Sequence, residues 1–90
     1  MSPFDPNASV PNVTASGDPT ITTSNANDFL VAVEVTTGSG PTAGSGFAEA
    51  LPFTFNNFMV QYQIVSAAGS YTATLGSGGP ALGAILAAIK

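Results

Sequence analysis

Cysteine, histidine and tryptophan are absent from this 90-residue chain, and charge is nearly absent too. Without cysteine there is no disulfide framework. Without cysteine or histidine, the common zinc sites and the Ser-His-Asp and Cys-His catalytic arrangements are excluded. Only Asp5, Asp18, Asp28, Glu34, Glu49 and Lys90 carry charge, which leaves a net charge of −4. A single cation rules against nucleic acid, because phosphate binding needs several lysines or arginines. It equally rules against electrostatic docking to an anionic membrane. No stretch approaches the ~18 apolar residues that a membrane helix requires. Residues 1–15 lack a basic segment and an apolar run, so no secretory signal is expected there.

Charged residues make up 7% of the chain, against about 25% in an average soluble domain. The surface must therefore be built from Ser, Thr, Asn, Gly and Ala. A free monomer ordinarily carries more charge than this for colloidal stability, so the composition favours a subunit whose surface is largely covered by neighbours. A small neutral secreted domain is the plainer alternative.

What is present is β-like for most of the length. Pro3, Pro6, Pro11 and Pro19 punctuate the first twenty residues. Proline fixes φ and pushes the preceding residue toward extended geometry, so this segment reads as an extended arm beaded with Phe4, Val10 and Val13. After it, "DFLVAVEV" is a β-branched strand of period two. Phe29, Val31, Val33 and Val35 are expected to supply its core face. Leu30, Ala32 and Glu34 share the other side, with Glu34 as a solvent-facing charge and the apolar pair open to partial cover.

"TTGSGPTAGSG" is a flexible loop; it lacks the lysine of a phosphate-binding loop. In "LPFTFNNFMVQYQIV", Asn56-Asn57 suits a two-residue hairpin turn. That turn would place Phe55 opposite Phe58, Phe53 opposite Val60 and Leu51 opposite Tyr62. "YTATLG" reads as a third consecutive strand of a meander.

The chain closes with "PALGAILAAIK", where Pro80 suits a first helical turn. Leu82, Ile85, Leu86 and Ile89 follow the i, i+3, i+4, i+7 spacing of one helical face. The remaining face is alanine and glycine, so this helix is expected to be buried on both sides. At eleven residues it would span ~16 Å, too short to cross a bilayer.

These readings predict a mainly β fold, a small antiparallel sandwich or partial barrel of four to five strands. The expected division is an arm over residues 1–20, a β-domain over 21–79 and a short C-terminal helix over 80–90. No catalytic residue, cofactor or metal ligand is expected. Glu34 and Glu49 could in principle act as a glycosidase pair, but ninety residues rarely build a sugar cleft. The expected function is that of a non-enzymatic structural subunit, a minor or decoration (cement) protein of a virus or phage particle. Its partners would be further copies of itself or a major capsid or scaffold protein, reached through Phe4, Val10 and Val13 on the arm and Leu82, Ile85, Leu86 and Ile89 on the tail. A cell-surface filament or matrix subunit is the alternative setting. A small carbohydrate- or ligand-binding module using Tyr62 and Tyr71 is the alternative class.

Overall fold

The computed structural model describes residues 3–36, 42–50, 58–77 and 81–90, and contains no helix among them. In chain order its strands are β1 (Asn12–Thr14), β2 (Thr20–Thr22), β3 (Asp28–Thr36), β4 (Thr42–Ala43), β5 (Ala48–Glu49), β6 (Phe58–Val65), β7 (Ser70–Thr72), β8 (Leu75–Ser77) and β9 (Ala81–Ile89). Five of them form one antiparallel sheet in the order β1-β9-β3-β6-β5. The others form two small pairs, β2 with β7 and β4 with β8.

The tail is therefore a strand, and the expected helix over residues 80–90 is corrected. β9 lies inside the sheet, paired antiparallel with β3 on one side and with β1 on the other. An apolar run with no polar side satisfies a helical period and a central strand alike. Here the sheet decides, because β3 offers a partner along the whole of β9. Alanine, a strong helix former, is overridden by that pairing. Leu82 is the extra residue where the register shifts between Val35↔Gly83 and Thr36↔Ala81.

β3 and β6 are strands as their alternation predicts, paired from Asp28↔Val65 to Val35↔Phe58. The expected turn at Asn56-Asn57, with Leu51, Phe53 and Phe55, lies outside the described residues. Beside it the register departs from that expectation. Tyr62 stands opposite Ala48, and the Ala50 N–H donates to the Val60 carbonyl at 2.9 Å. The expected meander also breaks up, since β7 leaves the main sheet to pair with β2.

The core lies on the side of the main sheet that the sequence reading assigned second. Leu30 and Ala32 of β3, Val65 of β6, and Leu86 and Ala88 of β9 are buried together with Ile21 of β2 and Ala73. Val10, Phe47 and Tyr71 pack against this cluster from outside. The small pairs thus form a second layer over one face of the five-stranded sheet, giving the two-layer arrangement that a half-apolar sheet requires.

Residues 3–5 and 12–14 lie against the chain's own β9. The Lys90 N–H donates to the Pro3 carbonyl at 2.9 Å, and the Asp5 N–H to the Ala88 carbonyl at 3.0 Å. Phe4 bridges Ile89 between them. The buried Asp5 carboxylate accepts backbone N–H groups from Asn7 (2.8 Å), Ser24 (3.0 Å) and Asn25 (2.8 Å). Asp5 thereby ties the N-terminal segment and the turn before β3 through its carboxylate, and the end of β9 through its own N–H. Burial pushes its pKa up, but the amides of Asn25, Asn7 and Ser24 outweigh that and hold it at about 2. Replacing Asp5 with Ala leaves those amides unsatisfied and should cost about 3 kcal/mol in urea unfolding. In the native chain this contribution is present above the ordinary carboxyl pKa and is lost as pH falls toward 2.

A candidate interaction face

With the core on one side of the main sheet, the other side is left partly open among the described residues, and it is the more hydrophobic of the two. Register places its side chains in rows that cross the strands. The first row runs Phe4, Ile89, Phe29, Ile64; the second runs Ala87, Val31, Tyr62, Ala48. The third runs Val13, Ile85, Val33, Val60, and the fourth joins Gly83 to Val35.

Much of this surface is open to solvent. Val33 is 37% exposed, Phe29 39%, Ile85 46%, Val13 68% and Ile64 76%. The Phe29 and Tyr62 rings stack on it with centroids 5.7 Å apart. At one end, Phe29, Ile64 and Ile89 line an open depression of about 480 Å³ together with Asn27, Asp28 and Lys90. Contiguous apolar patches beyond a few hundred Å² are uncommon on monomers and mark contact surfaces.

No charged side chain belongs to these rows. Asp5, Asp28 and Glu34 are buried, and Asp28 and Glu34 share strand parity with Leu30 on the core side. Glu49 stands opposite Gln61, on that same side. Asp18 is near enough to Glu34 to act on its titration.

The core side carries the polar residues. The fully buried Gln61 accepts the Gly44 N–H at 2.9 Å and donates to the Thr74 carbonyl at 2.9 Å and to the Glu34 carboxylate. Gly44 has no room for a side chain, since a Cβ there would collide with Thr74. Glu34 is sealed in, and its Oε2 has no hydrogen-bond partner. Glu34 is thus no solvent-facing charge. Burial pushes its carboxyl up to about 7, opposed by the Gln61 amide and assisted by the charge on Asp18. Asp28 is also raised, first by burial, although the Asn25 side-chain amide donates to it at 2.9 Å.

The seven residues proposed from sequence as contacts divide by position. Val13, Ile85 and Ile89 sit on the open face, and Phe4 joins them at its edge. Leu82 is 51% exposed at the register shift. Leu86 is fully buried, and Val10 packs on the core. Sequence reasoning missed Phe29, Val31, Val33, Val35, Val60 and Ile64 as residues of the open face, and offered Tyr62 only for the ligand-binding alternative. The parity of β3 and β6 grouped them correctly and signalled an apolar face. No signal in the chain told which apolar face the second layer would cover.

No protein-family model, curated protein or solved structure matches this chain.

The Glu34 geometry sets a pH dependence. Its folded pKa lies above its unfolded one, so its contribution to stability is full below about pH 4.5, falls as pH rises toward 7 and then levels off. The expected loss across that window is about 2 kcal/mol. In a Glu34→Gln variant most of that slope should vanish, as read from urea midpoints at pH 4.5 and 7.5.

Proposed function

We propose that this chain is a non-enzymatic structural module that works by packing the open face of its five-stranded sheet against another protein surface. The observation that supports this reading is the face itself, rows of apolar side chains with no charge among them. Water in contact with such a surface is released on burial at ~25 cal/mol per Å². The core of a protein interface is depleted in charged residues and enriched in aromatic ones, as this face is.

Strand addition at a sheet edge is the weaker route to assembly here. Among the described residues the edges are short, three residues in β1 and two in β5, and short edge strands discourage pairing with other chains. The charge-poor composition supports a setting in which most of the surface is covered. A minor or decoration subunit of a virus or phage particle is the setting we propose.

The test is a paired measurement on the purified chain, solution mass and binding of an environment-sensitive hydrophobic dye. The wild type should associate or bind dye. A Val33→Lys, Ile64→Lys double variant should do neither, while its thermal midpoint stays within a few degrees of wild type because both sites are exposed. A wild-type monomer that binds no dye would overturn the reading.

A further inference from the structure

Resting on that reading, we propose that the occupant of the open face is a second copy of this chain, related by a two-fold axis along β3, so that two main sheets form the inner layers of a four-layer dimer. Three observations lead to this partner. The rows of the face hold no charged side chain, so two copies can meet along them without like charges opposed, although each chain carries −4 overall.

Its size also suits self-pairing. Strands about 4.8 Å apart and residues rising about 3.3 Å along them give a footprint of about 500–600 Å² per copy, hence at least about 1,000 Å² for the pair. That meets the floor of about 1,000 Å² for a biological contact, and aligned sheet-on-sheet packing at about 10 Å is an established way to bury two such faces.

The third observation concerns shape. β3 is the middle strand of five, flanked by β9 on one side and β6 on the other. In the row of Val31, β9 presents only the small, nearly buried Ala87 between the larger Ile85 and Ile89, while β6 presents Tyr62, stacked on Phe29. Tyr62 and Ala87 lie in the same row, on opposite sides of Val31. A two-fold axis parallel to β3 carries β6 of one copy over β9 of the other and keeps each row in place. Tyr62 of each copy then settles over Ala87 of its mate, bulk against hollow. An axis perpendicular to the strands would instead set β6 on β6 and bulk on bulk. A closed two-fold contact uses each face once and yields a dimer with no open lattice.

The chain has no cysteine, so single-cysteine variants report contacts cleanly. Sedimentation equilibrium should give the mass of two chains, and Val33→Lys should weaken association at least 10-fold. With a short bismaleimide, Val33→Cys should cross-link between copies, whereas Thr20→Cys, exposed on β2 in the other layer, should not. A mixture of Tyr62→Cys and Ala87→Cys chains should cross-link faster than either alone. Faster linking within the separate Tyr62→Cys or Ala87→Cys samples would overturn the proposed axis. A wild-type monomer that binds hydrophobic dye would overturn self-pairing while supporting a different occupant of the face. A monomer that binds none would overturn both this inference and the reading beneath it.

Discussion

The antiparallel pairing of β3 with β9 is the constraint on which the other features rest. It runs from Phe29↔Ile89 to Thr36↔Ala81 and joins two segments separated by the whole middle of the chain. Because side chains alternate along a strand, a slip of one residue would exchange every buried side chain for an exposed one. With this register, Leu30, Ala32, Leu86 and Ala88 fall on the same side and are closed in by Ile21 and Ala73. Ala88 is placed where its carbonyl receives the Asp5 amide, which brings the N-terminal segment and its carboxylate clamp to the end of β9.

The same register produces an unusual division of polarity. The enclosed side holds Asp5, Asp28, Glu34 and Gln61, while the open side holds valine, isoleucine and aromatic rings. Buried polar groups are tolerated when they are hydrogen-bonded. Gln61 meets that condition through Gly44, Thr74 and Glu34. Glu34 meets it only in part, and its raised pKa is the consequence. An apolar outer face carries the opposite imbalance, which a covering surface removes. The interior chemistry and the case for a partner are two results of one choice of face.

How much of this is readable in the chain depends on the element. β3 and β6 announce themselves through alternation and β-branching, and so does the presence of a mainly antiparallel fold. The tail does not, because "ALGAILAAI" is apolar on every side and leaves period two and period 3.6 equally satisfied; only β3 as a long-range partner distinguishes them. Face assignment fails for a related reason. Phe29, Val31, Val33 and Val35 are the more hydrophobic set, yet the second layer closes over the set that contains Glu34. That outcome rests on Gln61, Gly44 and Thr74 meeting from three separate segments, which no local pattern encodes. Contact residues inferred from the tail's helical spacing divide accordingly, Ile85 to the open face and Leu86 to the core.

The most direct test of the account is the pairing of β9 in solution, read by NMR from cross-strand backbone proton contacts. The structure predicts contacts of Val33 with Ile85 and with Val60, and of Ile85 with Val13. It also predicts slow amide exchange along β9. Contacts between residues i and i+3 across 81–89 would show a helix instead. A register with Leu30 or Ala32 on the open side would be equally contradictory, because either result removes the apolar face from which the functional reading follows.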